Sequence, residues 1–379
     1  MCLSARRCSR GTDSIRPVPD RPGMLRRQGE VAKDMDKRTT IYDIAARLGV
    51  STATVNRALT GKPRVKDETR KLVLQAAEEM GFRPNLLARS LGRRRLRFAA
   101  VGFTSFPEFH TAFLKGVQDE GSALADFNIS VDCYNFDQGS SDSEKAQKYL
   151  NDTLRHIADD GYDGVLVLGR MAEAFEYLHE RKICVATVVN DIEDRGLRRF
   201  TVCYRGRIAG RMAAELIYRM MADKRRPVAI ASGFETTVVH SETEKGFREQ
   251  LIHTPLDLAE VIYNHDNTGM AYESTKRLLE SIPGLGAIYI NSFNYTGVIR
   301  AVYDSGRAGD LLIVSSDISG DLKRLISEGT VVASIFQNQY EQGRLGLRRM
   351  YDLLANGTDV DDVNEIDPQI IMGSNLSLF

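Results

Sequence analysis

The sequence lacks several features that would assign it to a common protein class. It contains no apolar run of about 18 residues, so no segment is predicted to cross a membrane. Its five cysteines are odd in number, scattered and without a CxxC pair, which argues against both a disulfide framework and a zinc site. This cysteine usage fits a reducing compartment, and we expect a cytoplasmic protein.

Signatures of common catalytic chemistry are also missing. We find no GxxxxGK[ST] phosphate loop, no GxGxxG fingerprint, no HExxH and no GxSxG elbow. The six histidines show no metal-ligand spacing. We therefore expect no enzymatic activity, no catalytic residues, no bound metal and no cofactor.

The charge is neutral in total but unevenly distributed. The first 100 residues contain 23 lysines and arginines against 10 aspartates and glutamates, while the rest of the 379-residue chain contains 28 and 41. A basic head therefore precedes an acidic body. Such asymmetry is typical of a segment that binds a polyanion, and the acidic body would itself be repelled by DNA.

The first residues form an arginine-rich extension. Residues 1–34 contain several prolines and glycines and no apolar stretch of about 7–15 residues, which argues against a secretory signal. We expect residues 1–36 to be a disordered basic extension. Met35 stands just before the first helical pattern and is an alternative to Met1 as the start.

Helical patterns begin at Thr40. An apolar stripe with helical spacing comprises Ile41, Ile44, Ala45 and Leu48. Thr40 and Asp43 have the spacing of a capping box, although with Asp in place of Glu or Gln. The stripe ends at Gly49, which can adopt the positive φ of a tight turn, and Ser51 is suited to cap a second helix.

Two further helices complete a head over residues 37–83. The second is predicted at Thr52–Leu59, with one apolar and one small polar face. Two short helices joined at Gly49 form a helix-turn-helix unit, whose second helix enters the DNA major groove. A third is predicted from Asp67 to Met80. Its expected buried stripe is Leu72, Val73, Ala76, Ala77 and Met80.

A hinge helix and a linker are predicted over residues 84–97. Asn85 can cap a short helix from Leu86 to Leu91, which a basic segment follows. A helix this short is unstable alone in water, so it should form only against a partner such as its copy in a dimer and the DNA.

Residues 40–91, TIYDIAARLGVSTATVNRALTGKPRVKDETRKLVLQAAEEMGFRPNLLARSL, resemble the DNA-binding head of the lactose-repressor (LacI/GalR) family. The resemblance implies that Thr52, Ala53 and Arg57 read base edges in the major groove. It implies that Leu91 wedges into a minor-groove step. The remaining DNA-binding residues that we expect are Thr40, Tyr42, Ser51, Thr54, Asn56, Asn85 and Ala88. Two departures are Asn56, where Ser is usual, and Lys66, where a small capping residue is usual.

The acidic body alternates short apolar runs with amphipathic helical segments. This βα rhythm predicts parallel sheets covered on both faces. It is interrupted near Phe200–Tyr204, which we interpret as a crossing between two lobes. We expect one lobe at about 98–201 and 337–357, and the other at about 203–334 and 366–379.

The body resembles the periplasmic-binding-protein-type effector domain of the same family. Ligands of open α/β sheets bind beyond the carboxyl ends of the strands. The candidate effector contacts are Ser105, Phe109, His110, Asn190, Asp191, His240, Asn291, Asp317 and Gln337. An arginine common in the family's pocket is replaced here by Thr243, so either His240 or Lys245 substitutes for it or the ligand differs.

These expectations define one hypothesis and two alternatives. The hypothesis is a homodimeric transcription regulator, with repression expected from family habit, that binds a pseudo-palindromic double-stranded DNA operator. Its effector would be a sugar, a polyol or a sugar acid, acting as inducer or corepressor. The first alternative, a sugar kinase with a DNA-binding head, would need glycine-rich phosphate motifs. The second, a transport-type sugar-binding protein, would need an export signal and no head.

Overall fold

The computed structural model describes residues 39–59, 63–82, 94–102, 107–135, 143–168 and 173–379. The chain divides into two compact units between Asn85 and Leu86. The expected basic extension and hinge helix lie outside the described residues. Among the described residues, every helix is too short or too polar to span a bilayer.

The first unit contains three helices: α1 (Ile41–Leu48), α2 (Thr52–Leu59) and α3 (Asp67–Glu79). Their core is a single cluster whose most deeply buried members are Ile44, Val55 and Val73, one from each helix. The expected stripe of α3 is confirmed at Val73, Ala76 and Ala77. The prediction that Leu72 is buried is wrong, because its side chain is 57% exposed on the outer side of the helix.

The start of the second unit follows the expected βα alternation. The elements are β1 (Leu96–Gly102), α4 (Pro107–Ala123), β2 (Ile129–Asn135), α5 (Ser143–Asp159), β3 (Gly164–Leu168), α6 (Ala174–Glu180), β4 (Cys184–Val188) and β5 (Phe200–Tyr204). Their strands form a parallel sheet in the order β5-β4-β3-β1-β2.

The part of the second unit built on the first sheet is the first lobe. The following elements repeat this alternation and form a second lobe around a second sheet. The elements are α7 (Gly206–Met220), β6 (Val228–Ser232), α8 (Val238–Leu251), β7 (Leu258–Tyr263), α9 (Thr268–Ser281), β8 (Ala287–Asn291), α10 (Tyr295–Asp304), β9 (Leu312–Ser316), α11 (Gly320–Ser327) and β10 (Ala333–Phe336). The strand order is β10-β9-β8-β6-β7, all parallel.

The C-terminal elements return to both lobes. They are α12 (Gln339–Asn356), β11 (Val363–Ile366) and β12 (Gln369–Ile371). Helix α12 packs on the first sheet, where β11 adds a parallel edge strand beside β5. Strand β12 pairs antiparallel with β10 at the edge of the second sheet. The chain therefore passes between the lobes three times.

The segment Phe200–Tyr204 is a second correction. It is not a crossing but strand β5, paired with β4 on one side and β11 on the other. The chain leaves the first sheet only after Tyr204. The short run was misread because its last position is a tyrosine followed directly by the charged Arg205, which hides the end of a buried strand.

Each sheet is covered on both faces. In β1, Phe98 and Ala100 join one core cluster while the alternate residues Ala99 and Val101 join another. In β8, Ile288 and Ile290 belong to a different cluster from Ala287 and Tyr289. Side chains of successive strand residues point to opposite faces, so the continuous apolar runs reflect two-sided burial.

Candidate functional site

The α1–α2 pair has the local geometry of a DNA-reading unit. Thr40 caps α1, because its hydroxyl oxygen accepts the Asp43 backbone N–H at 3.4 Å, and its own backbone N–H donates to the Asp43 carboxylate at 2.7 Å. Gly49 follows α1 with φ +66°. The Ser51 hydroxyl then accepts the Thr54 backbone N–H at 3.1 Å, which fixes the start of α2. The capping box and turn expected from the sequence are therefore confirmed.

One face of α2 is buried and the other is open to solvent. Val55 and Ala58 pack into the head core, whereas Ala53, Asn56 and Arg57 are exposed. Thr52 and Thr54 are half-buried, and Tyr42 and Thr40 are exposed on and beside α1. The residues expected to face DNA on α1 and α2 are therefore exposed or half-buried rather than part of the head core. Asn85, Ala88 and Leu91, together with Ser105 of the effector set, lie outside the described residues.

Three candidate effector residues follow neighbouring strands of the second lobe. Asn291 ends β8, Asp317 follows β9 and Gln337 follows β10. Because β8, β9 and β10 are adjacent and parallel, their carboxyl ends meet at one edge. All three side chains are buried, with less than a tenth of each residue exposed.

Asp317 is the centre of this edge. One of its oxygens accepts from the Gln337 amide at 2.9 Å and the other from the Gln339 amide at 2.7 Å. Burial raises the pKa of this carboxyl to about 6, although both amide donors oppose the rise. Its backbone φ is +66°, an uncommon conformation for a residue with a Cβ.

Asn291 links β8 to β6 and α8. Its amide donates to the Ser232 hydroxyl at 3.2 Å and to the His240 backbone oxygen at 3.1 Å. The His240 ring accepts the Phe234 backbone N–H at 3.0 Å. The side chain of Asn291 is therefore in contact with the backbone of His240.

Two candidates come from the start of α4 in the first lobe. The Phe109 ring packs edge-on against Phe293, which follows β8, with 6.1 Å between ring centres. His110 is buried against the end of β1, where a Cβ on Gly102 would lie 2.9 Å from the His110 Cβ. The Phe109–Phe293 contact places the two lobes face to face beside Asn291.

The other first-lobe candidates, Asn190 and Asp191, follow β4, and the backbone is strained at the same place. Val189 has φ +69°, an outlier for a β-branched residue. Asn190 is half-buried, and its side-chain oxygen has no donor among the described residues. Asp191 is held by Arg198, whose Nε and terminal nitrogen donate to it at 2.8 and 2.6 Å. Asp191 therefore serves a buried ion pair.

Thr243 occupies the position where the family pattern has arginine. It is fully buried, and its hydroxyl lies 2.9 Å from that of Tyr204 and donates to the Val239 oxygen at 2.8 Å. Lys245 pairs with Glu242 at 2.8 Å on the exposed side of α8. Lys245 therefore does not replace the missing arginine. The His240 ring contributes a nitrogen that accepts the Phe234 backbone N–H, and not a cation.

A cavity of about 550 Å³ lies at the lobe junction beside the first crossing. Val189 and Asp191 line it from the first lobe, and Val239 and Glu242 line it from the second. Of the candidate effector residues, Asp191 lines this cavity. The strained end of β4 therefore faces the start of α8.

Sequence reasoning missed three residues of this region, namely Gln339, Gln342 and Tyr204. The amide-rich run Gln337-Asn338-Gln339 directly after a buried strand was a usable signal for the first. Gln342 is one turn into α12, where its amide donates to the Gln337 backbone oxygen at 2.8 Å. Tyr204 was missed because strand β5 was interpreted as a crossing.

Among the described residues, His, Cys, Asp and Glu form no cluster of three that could hold a metal ion.

Comparisons with known protein families match both parts of the chain. The family described as "Bacterial regulatory proteins, lacI family" matches residues 40–85. The family described as "Periplasmic binding protein domain" matches residues 98–359.

Individual relatives agree with these matches. Catabolite control protein A of Priestia megaterium is 26% identical over 321 residues, which cover 82% of this chain and 90% of that protein. The HTH-type transcriptional regulator AscG of Escherichia coli (strain K12) is 54% identical over 103 residues, covering 25% of this chain and 31% of that protein.

The fold also matches solved structures. GanP, a glucose-galactose binding protein from Geobacillus stearothermophilus, aligns with a TM-score of 0.64 at 20% identity, covering 75% of this chain and 99% of GanP. At this identity the likeness establishes the two-lobed fold.

Proposed function

Because the chain belongs to the LacI family of bacterial regulatory proteins and carries a periplasmic binding protein domain, we propose that this DNA-binding regulator is a repressor controlled by a small polyhydroxy ligand. The observation that carries the proposal is the solvent-facing side of α2. That side presents Ala53, Asn56 and Arg57 while Val55 and Ala58 hold the helix on the head core. Its relatives are transcription regulators rather than enzymes.

Specificity would come mainly from Arg57. A guanidinium can donate two hydrogen bonds to O6 and N7 of guanine, whereas the small Thr52 and Ala53 allow close approach of the helix to base edges. Ser51, Thr54 and Asn56 would contact phosphates and set the register, with Thr40 and Tyr42 beside them. The proposed partner of this surface is therefore duplex DNA.

The operator is proposed to be pseudo-palindromic and bound by a homodimer in the cytoplasm. A two-fold dimer presents two heads to two half-sites, so the symmetry of the DNA site follows that of the protein. Asn85, Ala88 and Leu91 would belong to a hinge helix that orders over the central minor groove, where Leu91 acts as a wedge.

The effector is proposed to bind where the two lobes face each other. Asn291, Asp317 and Gln337 would contact it from the second lobe, with Phe109, His110, Asn190 and Ser105 contributing from the first. A ligand that contacts both lobes stabilises one angle between them and shifts the equilibrium between the DNA-binding and released states. GanP, which shares this fold, is by its name a glucose-galactose binding protein.

The test uses the full-length protein and two assays. Selection of bound duplexes from a random DNA pool should yield one two-fold symmetric motif. A thermal-shift screen of sugars and polyols should identify a ligand that raises the unfolding temperature, because ligand binding to the folded state adds stability by mass action. Adding that ligand should change the affinity for the selected DNA. Failure to enrich any motif at low salt would contradict DNA recognition.

A further inference from the structure

The basic linker joins the first lobe through Arg94 and Arg97, and carboxylates of that lobe hold both arginines. Arg94 pairs with Asp163, the residue before β3. Arg97, in β1, pairs with Asp160 at 2.8 Å and lies 3.8 Å from Asp132 in β2. Because β1 lies between β2 and β3 in the sheet, the linker arrives between carboxylates on both sides.

Arg97 is the fixed anchor of this arrangement. Its guanidinium donates to the Asp160 backbone oxygen at 2.5 Å and to the Asp160 carboxylate at 2.8 Å, and it lies 4.2 Å from the centre of the Tyr162 ring. The hydrogen bond to Asp160 raises the pKa of Arg97 and lowers the pKa of the Asp160 carboxyl. Both partners therefore stay charged, and the Arg97 guanidinium is committed to the lobe.

Arg94 is held differently, because its partner is fixed and its own side chain is not. The Arg94 side chain is 71% exposed, whereas that of Asp163 is 12% exposed. The Asp163 carboxylate also accepts the Arg97 backbone N–H at 2.9 Å, and the Asp163 backbone N–H donates to the Arg97 oxygen at 2.8 Å. The carboxylate therefore stays in place whether or not Arg94 is bound. An exposed ion pair contributes little stability, so a second anion within reach can compete for Arg94.

DNA phosphates are the competing anions that the proposed function brings near this residue. Arg94 follows Leu91, the expected end of the hinge helix, by three positions, which span at most about 11 Å. A guanidinium binds carboxylate and phosphate through the same paired donors. While Asp163 holds Arg94, the protein therefore makes one phosphate contact fewer.

We propose that Asp163 is a specificity-determining residue that withholds Arg94 from DNA. This inference rests on the proposed function and adds to it a contact that lowers the affinity for arbitrary duplexes. Affinity for DNA of any sequence comes almost entirely from phosphate contacts, whereas base contacts distinguish the operator. Withholding one cation weakens the competition from non-operator DNA and leaves every base contact intact.

Fluorescence anisotropy with the full-length protein and a labelled duplex of scrambled sequence tests the proposal over a range of salt concentrations. Asp163→Asn keeps a side-chain oxygen for the Arg97 N–H but removes the charge that holds Arg94. We expect the dissociation constant at low salt to fall about threefold, and the slope of log K against log salt to steepen by roughly 0.9, the value for one added phosphate contact. An unchanged affinity and slope would contradict the inference.

Asp159→Asn is the matched control. It removes the same charge from the same lobe, at a carboxylate that pairs with Arg181 at 2.9 Å instead of with the linker. Its affinity and salt dependence should stay close to those of the wild type. An effect as large as that of Asp163→Asn would show that only the total charge of the body matters, and it would overturn the inference.

Arg94→Gln completes a double-mutant cycle at an exposed position where the fold does not depend on the side chain. Alone, it should leave scrambled-duplex binding unchanged, and combined with Asp163→Asn it should cancel the gain. Weaker binding by Arg94→Gln alone would show that the wild-type residue already contacts DNA, which would refute the withholding. If the wild-type protein binds no duplex at low salt, the proposed function fails together with the inference.

Discussion

The hydroxyl groups of Tyr204 and Thr243 lie 2.9 Å apart and connect the last residue of β5 to the second turn of α8. Both residues are buried, and burial raises the pKa of the Tyr204 phenol, so it remains a neutral donor or acceptor at physiological pH. The bond spans the first crossing, between Tyr204 and Gly206. It therefore joins the two lobes beside this crossing.

Tyr204→Phe tests this link. The substitution removes the phenol oxygen, while the Thr243 hydroxyl keeps its bond to Val239. We expect a stability loss of about 0.5–1.5 kcal/mol in urea unfolding and a smaller effect of the effector on DNA affinity. Tyr303→Phe is the matched control, because the Tyr303 hydroxyl pairs with Thr330 at an exposed site within one lobe. Equal coupling in both variants would exclude a role for Tyr204 in transmission.

Arg57→Ala tests the DNA-reading surface. Loss of a two-bond contact to guanine should weaken specific binding by about 1–3 kcal/mol and relax the preference at one base pair. Fluorescence anisotropy with the selected operator and single-base variants measures both effects. Arg47→Ala is the control, since Arg47 pairs with Glu79 at 2.5 Å within the head. Unchanged base preference in Arg57→Ala would refute the assigned reading face.

Local signals in the sequence were sufficient for the head and for the sheet rhythm. Thr40, Gly49 and Ser51 determine caps and a turn through their own short-range chemistry, so their roles could be read in advance. Pairing at a distance was not readable. Strand β11 gains its place only by binding the edge of β5, and the exposure of Leu72 depends on which side of α3 faces the core.

The sequence predicted which residues lie at the carboxyl ends of β8, β9 and β10, but it did not predict their hydrogen-bond partners. Asn291, Asp317 and Gln337 follow apolar strands, and parallel strands bring such ends together. The pairing of Arg198 with Asp362 was not predictable, because the two residues are separated by 164 positions, whereas Asp191 lies only seven positions before Arg198. Hydrogen-bond partners chosen by tertiary packing decide which polar residues remain available to a ligand.

Asp317→Asn should change how stability depends on pH. Burial raises the folded-state pKa from 3.8 to about 6, so the unfolded chain loses this proton first and stability falls as pH rises through that interval. The rise corresponds to roughly 3 kcal/mol once the carboxyl is ionised. The stability difference between Asp317→Asn and wild type should therefore shift in favour of the variant between pH 4 and 6 and stay constant above that interval.

Urea unfolding at pH 4, 5, 6 and 7.5 would measure this difference. Asp257→Asn serves as a comparison carboxylate away from the effector edge, in the loop before β7. A stability difference between Asp317→Asn and wild type that is the same at every pH would show that the carboxyl titrates normally. Effector binding by Asp317→Asn should be weakened at every pH, because the amide replaces one of the two acceptor oxygens by a donor.

Arg198→Met tests the buried ion pair behind β4. The substitution leaves Asp191 without its main partner in a site where the arginine side chain is fully buried. Breaking a buried pair in this way costs about 3–5 kcal/mol. Arg225→Met breaks the exposed pair with Asp223 and should leave the free energy of unfolding nearly unchanged. Similar stabilities for the two variants, measured by urea unfolding, would contradict this view of Arg198.

Gly210→Ala tests the packing of α7 on α8. An added Cβ would lie 1.9 Å from the Thr243 backbone oxygen and 2.6 Å from the Phe247 nitrogen, so the helices must separate. We expect a loss of about 1–3 kcal/mol despite the better helix propensity of alanine. Gly284→Ala meets no atom within 4 Å and should be nearly neutral. Thermal unfolding of both variants measures the contrast, and a neutral Gly210→Ala would show that the helices can move apart freely.

The three passes of the chain between the lobes have a consequence for biosynthesis. The outer strands of the two sheets, β11 and β12, are made last, so neither lobe is complete until the ribosome has reached Ile371. The head needs only the first fifth of the chain, and domains fold as units from the N-terminus during synthesis. A chain stalled in its final tenth would therefore carry a finished DNA reader joined to a sensor that cannot close, which makes truncation a route to a regulator insensitive to its signal.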